Sequence, residues 1–212
     1  ETKALHFYGY KGGQARSTVL LLLAKQLADN GQRVLLVDAD VEAPSLDAML
    51  DVATDLPEAT LMGLCGWASS IVPISRAYFG KSASGTVDLI ACRPRHPDYD
   101  MDFAAFILGT ALDARTLERA TKKLRSFVNE TQSDPKYDVV LFDHRTGMTP
   151  AILPIIQSWP GPSIIFVRPD GMAKPTEMQS IFRTLLSQDS LTPGAFVSFS
   201  LDPEEAYEGA RL

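Results

Sequence analysis

Apolar residues along this chain gather in short continuous runs, separated by longer segments with helical spacing. Residues 3–8 form a run of β-formers ended by Gly9, and further runs lie at 33–37 (RVLLV), 86–91 (TVDLIA), 137–142 (YDVVLF), 163–167 (SIIFV) and 194–199. Unbroken apolar runs, rather than alternating ones, are the mark of parallel strands covered on both faces. Between them, residues 17–30 are rich in Leu and Ala and stop at Gly31, which predicts a helix with a glycine C-terminal stop. Residues 114–131 carry Leu117, Leu124 and Val128 at helical spacing among Lys and Arg, and residues 175–188 read as a helix opened by proline. Residues 38–44 read as a polar turn, 45–50 as the start of a helix, and 93–102 as a loop. The stretch from 51 to 84 has no regular period. Strands alternating with helices predict an α/β domain of three layers, a mostly parallel sheet with helices on both faces, and ligands at the carboxyl ends of the strands.

Composition narrows the class. The 212 residues suit one domain over 1–212, with a piece of a longer chain as the alternative; 45% hydrophobic and 22% charged residues support a packed core. Twenty Lys and Arg against 26 Asp and Glu give a net charge of −6, which argues against bulk, non-specific nucleic-acid binding. Cys65 and Cys92 match no metal spacing and no C-x-x-C pair, so a reducing, cytoplasmic setting is expected. The longest apolar stretch, residues 19–24, is far too short to span a bilayer, and no membrane contact is expected.

The segment Tyr10-Lys11-Gly12-Gly13-Gln14-Ala15-Arg16-Ser17-Thr18 lies between a strand and a helix. In that setting successive backbone amides can curl around an anion while the helix presents its positive end, and glycines let the backbone come close to phosphates. Ser17 would offer its hydroxyl to Mg²⁺, and Thr18 would face the α-phosphate. On these residues alone, a turn without ligand stays open. The segment resembles the deviant Walker A motif K-G-G-x-G-K-[ST]-[ST] of the ParA/MinD ATPases in Lys11, Gly12, Gly13, Ser17 and Thr18. The resemblance implies a nucleotide cradle of Gly12, Gly13, Gln14, Ala15, Arg16, Ser17 and Thr18, with Lys11 crossing to the nucleotide of a partner copy. Two positions depart from it. Ala15 replaces a glycine, and Arg16 replaces the lysine that contacts the β- and γ-phosphates; a planar, forked guanidinium is not equivalent to an ammonium there. Where residue 15 needs a positive φ, alanine costs about 1 kcal/mol.

Two acidic segments follow strands. Asp38-Ala39-Asp40-Val41-Glu42-Ala43-Pro44-Ser45-Leu46 is similar to the family's D-x-D-x-x-x-P-[SG]-L segment, which implies Asp38 near Mg²⁺ through water and Asp40 positioning the attacking water. An acidic turn with Ser45 as helix N-cap is the plainer reading, and the two are compatible. Asp143, after the apolar run 137–142, fits the Walker B pattern for a metal-bound carboxylate, and Gly147 fits the end of the switch that follows. Arg145 is read either as a γ-phosphate or partner contact or as a solvated loop arginine. His6 and His96 have no evident partners in the sequence and are expected to be structural or exposed.

Together these features imply a P-loop NTPase fold that binds ATP and Mg²⁺, with Ser17, Asp38 and Asp143 at the metal and Asp40, Lys11 and Arg16 in catalysis. The expected role is a nucleotide-dependent homodimer switch with slow or impaired hydrolysis, working on a protein partner. The alternative is an inactive nucleotide-sensing or scaffold domain. Trp67, Ile71, Tyr78, Phe79, Phe103 and Phe106 are candidates for a partner face, with burial in the core as the plainer reading. A kinase or transferase on the same scaffold ranks last, since no second-substrate motif is present.

Overall fold

The computed structural model describes residues 1–9, 15–52, 56–66, 68–76, 85–93, 104, 108, 115–130, 135–146, 152–167 and 193–198. Their elements are β1 (Lys3–Gly9), α1 (Arg16–Asp29), β2 (Arg33–Ala39), α2 (Leu46–Met49), a 3₁₀ turn (Pro57–Ala59), α3 (Leu61–Gly66), β3 (Ile74–Arg76), β4 (Thr86–Ile90), α4 (Arg115–Val128), β5 (Val139–Thr146), α5 (Ile152–Ser158), β6 (Ser163–Val167) and β7 (Pro193–Ser198). The expected helix at 175–188, most of the loop at 93–102, His96 and Gly147 lie outside the described residues.

The strands form one sheet in the order β3-β4-β2-β5-β1-β6-β7. All its pairings are parallel except β3 on β4. The expected α/β sandwich is therefore present. The apolar runs explain the centre of the sheet: Val34, Leu35, Leu36 and Val37 are fully buried because both faces of β2 are covered. On one face Leu20, Ala24 and Ala28 of α1 pack with Val34, Leu36, Leu141 and Phe166. On the other, Leu117, Ala120, Leu124 and Val128 of α4 pack with α3, Ile155 of α5, Leu35, Val37, Val140 and Phe142. Ile71 is partly buried and packs against this second cluster; Trp67, Tyr78, Phe79, Phe103 and Phe106 fall outside the described residues.

Helix α1 ends as expected. Gly31 has φ 86°, its amide donates to Ala28 O at 2.9 Å, and the Gln32 amide donates to Leu27 O at 3.0 Å, the two bonds of a Schellman cap. Two strand ends differ from the sequence reading. β2 runs on through Asp38 to Ala39, and β5 through Asp143 to Thr146, so neither aspartate starts a turn. The reason is pairing: Asp38 sits opposite Asp143 and Ala39 opposite His144, and the backbone ladder continues through the polar side chains. The irregular stretch also contains structure that periodicity missed, namely α3 and the antiparallel edge strand β3.

Candidate functional site

Asp38, Asp40, Asp143 and Arg16 meet at the carboxyl ends of β2 and β5, beside the first turn of α1. Side chains alternate along β5, so Asp143 faces α1 with Leu141, while Phe142 and His144 face the other side. Ala15, just before α1, has φ 55° and ψ 17°, a left-handed conformation. It is the position where the ParA/MinD pattern carries glycine. Alanine brings no side-chain acceptor to cap the helix, and the first turn has no acidic residue. Among the described residues, then, no side chain caps the leading amides of this 14-residue helix, an arrangement suited to phosphate.

Arg16, the first residue of α1, turns its side chain inward and is 9% exposed. Its Nε donates to Oδ1 of Asp143, and its Nη2 lies 3.4 Å from Oδ2 of Asp40. The guanidinium thus joins both acidic segments to the phosphate loop. Burial pushes the Asp143 carboxyl above its ordinary value, while Arg16 and a hydrogen bond from the Ser17 side chain pull it back. The other oxygen of Asp143, Oδ2, is buried with no hydrogen-bond partner.

Asp38 plays a part that the sequence reading gave to Ser45. Ser45 makes no side-chain cap on α2. Instead Oδ2 of Asp38 accepts the amides of Ser45 and Leu46, both at 3.0 Å, and Oδ1 accepts the amide of Asp40 at 3.0 Å. The carboxylate folds residues 40–46 into a strap over the strand ends. Burial and the nearby Asp143 charge push Asp38 up to about 7, against the pull of its three amide donors. Asp40 accepts the Ala43 amide at 3.1 Å, tightening the same strap.

Arg145 is not a solvated loop residue; it forms an ion pair with Glu42 of the strap. The sequence reading gave Glu42 no role, although opposite charges on segments leaving two paired strands were a usable signal. His144 is fully buried and bonded to His6, a pairing that no local pattern announces. Ser17 is half-buried beside Asp143, and Thr18 is exposed on the first turn. Lys11, Gly12, Gly13 and Gln14 lie outside the described residues. Cys65 and Cys92 are free thiols, and no cluster of metal-ligand side chains of three or more, counting His, Cys, Asp and Glu, occurs among the described residues. No described helix is long and apolar enough to cross a membrane.

A mostly parallel sheet with β5 at its centre and β1 beside it, α1 leaving the β1 end and acidic residues on β2 and β5 has the P-loop NTPase fold. Residues 2–149 match the family model described as "AAA domain", and the chain belongs to that family. The structure is similar to cobyrinic acid a,c-diamide synthase from Mycobacterium smegmatis with bound ATP analogue and magnesium, with TM-score 0.72, 20% identity, and coverage of 100% of this chain and 82% of that one. It is also similar to the septum site-determining protein MinD complexed with Mg-ADP from Pyrococcus horikoshii, with TM-score 0.65, 20% identity, and coverage of 98% and 77%. A third similar structure is apo McdA from Cyanthece, with TM-score 0.68, 18% identity, and coverage of 99% and 80%. No curated protein matches the sequence.

Proposed function

We propose that this chain binds ATP with Mg²⁺ at the carboxyl ends of β1, β2 and β5 and uses it as a slow, nucleotide-dependent dimer switch. The observation that carries this reading is Arg16 paired at once with Asp143 and Asp40. A triphosphate seated on the amides of α1 competes for that guanidinium. Its release frees two carboxylates, so phosphate occupancy and the state of the 40–46 strap are linked, as a switch requires. Turnover is slow because the forked guanidinium of Arg16 stands where the ParA/MinD pattern carries a lysine on the β- and γ-phosphates.

The residues present suit Mg²⁺: the unpartnered Oδ2 of Asp143 and the Ser17 hydroxyl are hard oxygen donors, with the Asp38 carboxyl beside them. Ser17 and Asp143 would hold the ion, with Asp38 acting through water. Once bound it would neutralise charge on the phosphate oxygens. Lys11 takes the cross-interface role that the ParA/MinD resemblance gives it, in a homodimer in the cytoplasm with a further protein partner.

The second reading, a nucleotide sensor or scaffold without turnover, is favoured by the left-handed alanine at position 15 together with the buried Arg16 pairs. Three measurements separate the readings: calorimetry with ATP and GTP in Mg²⁺, sedimentation with and without ATP–Mg²⁺, and phosphate release with Asp40→Ala as control. Binding of ATP, dimerisation on binding, and slow release lost in Asp40→Ala are expected. No heat with any triphosphate would sink the nucleotide reading. Binding by an unchanged monomer that releases no phosphate would leave the sensor.

A further inference from the structure

Arg145 lies two residues beyond Asp143 on β5, past the point where the β1–β5 register shifts, and its guanidinium is placed by the ion pair with Glu42 of the strap. At about 3.3 Å per residue, Arg145 stands about 6–7 Å beyond Asp143 toward the carboxyl edge of the sheet. That is the direction in which a ligand seated on the first turn of α1 extends. Arg145 is 31% exposed and its partner Glu42 38% exposed, in contrast to the buried Arg16 pairs. A partly exposed ion pair is weak, so it yields readily to a better anion. A terminal phosphate carrying two charges is such an anion, and its oxygens match the guanidinium fork. Glu42 lies within the 40–46 strap, whose amides are held by Asp38 and Asp40. Loss of the Arg145 contact frees the Glu42 side chain and loosens the strap around it, while the amides of Asp40, Ala43, Ser45 and Leu46 stay held.

We propose that Arg145 recognises the terminal phosphate of a nucleoside triphosphate by exchanging Glu42 for it, so that the triphosphate, and not the diphosphate, releases the strap. This rests on the nucleotide reading above. Glu42 is then a built-in competitor that holds Arg145 away from the phosphate until one with sufficient charge arrives.

The test is calorimetric titration of the full chain with ADP–Mg²⁺ and with a non-hydrolysable ATP analogue and Mg²⁺. Arg145→Ala is expected to weaken the triphosphate analogue by about tenfold or more, the worth of one charge-assisted hydrogen bond, and to leave ADP unchanged. Glu42→Gln is expected to act in the opposite direction, tightening the analogue and not ADP, and Arg145→Lys should recover part of the loss. Hydrogen exchange of the Val41 and Glu42 amides should rise with the analogue in the wild type and be raised already, without nucleotide, in Glu42→Gln. A purely structural pair would instead weaken both nucleotides alike in both variants, or neither, and that result overturns the proposal. Should the wild-type chain bind neither nucleotide, the nucleotide reading itself fails and this proposal with it.

Discussion

His6 and His144, 138 positions apart in the chain, face each other across the β1–β5 pair with Nδ1 of His6 2.8 Å from Nε2 of His144. The other nitrogen of His6 lies 2.9 Å from the carbonyl oxygen of Trp159. A carbonyl only accepts, so His6 carries its proton on Nε2 and its Nδ1 accepts from His144. His144 Nδ1 is then a bare acceptor, and it is buried without a partner. Phe142 stacks on His6 at 4.8 Å and meets Trp159 edge-on at 5.4 Å, which seals the pair from water. Asp143 faces the first turn of α1, and the next residue on the same strand is tied through His6 to the end of α5.

This pair sets an acid limit on stability. Burial lowers His6 from 6.5 to about 4, against the opposing hydrogen bond to Trp159, and burial, His6 and Arg16 lower His144 as well. A folded value below the unfolded one means that neutral His6 stabilises the fold in full above about pH 6.5. The contribution fades as the pH falls toward 4, and its size is about 3 kcal/mol. Denaturant unfolding between pH 4.5 and 7 should show the loss, with a shallower slope in His6→Gln. Equal slopes in the two proteins would place the acid sensitivity elsewhere.

Ala15 gives a second prediction. At φ 55° its Cβ crowds the following carbonyl, a cost of about 1–2 kcal/mol that glycine does not bear. Glycine gives back part of this through a more flexible unfolded chain. Ala15→Gly should therefore raise unfolding stability by about 1 kcal/mol, and Ala15→Val should lower it, since a β-branched residue fits this region worst. A thermal melt of both variants checks the pair, and the idea of strain at this position is lost if glycine lowers the midpoint.

How far the sequence could be read depends on how local each feature is. The apolar runs of β1, β2 and β5 were plain because strands covered on both faces carry few polar residues, and Gly31 announced the end of α1. The reach of β2 and β5 through Asp38 and Asp143 was not plain, because it depends on the partner strand and not on the residue. Asp38, Asp40, Asp143, Ser17 and Arg16 were legible as a set through motif resemblance. Their pairing was not: Arg16 and Asp143 are 127 residues apart, and nothing in either segment says that the guanidinium turns inward. The same holds for His6 with His144 and Arg145 with Glu42. The short elements α3 and β3 lacked enough residues to show a period, and tertiary packing against α4 and β4 decides them.

The last prediction concerns what balances the acidic cluster. Asp143 is fully buried and Asp40 is 7% exposed, and among the described residues Arg16 is the cation paired with both desolvated carboxylates. Removing one partner of a buried ion pair costs about 3–5 kcal/mol, and Arg16→Ala should lose that much near neutral pH. Arg16→Lys should fall between, because a point charge cannot serve Asp143 and Asp40 through separate nitrogens. The loss should be partly repaired by Asp143→Asn in the same chain, since the double variant buries one charge fewer. Excess Mg²⁺ should also repair it: a cation bound by the folded state alone stabilises by RT ln(1 + [L]/Kd), and the variant offers it carboxylates no longer held by arginine. Denaturant unfolding of wild type, both single substitutions and the double variant, with and without Mg²⁺, measures every term. Arg16→Ala as stable as wild type and indifferent to Mg²⁺ would show that the guanidinium is not the counter-ion of this site, and the coupling of phosphate loop to acidic strap would lose its physical basis.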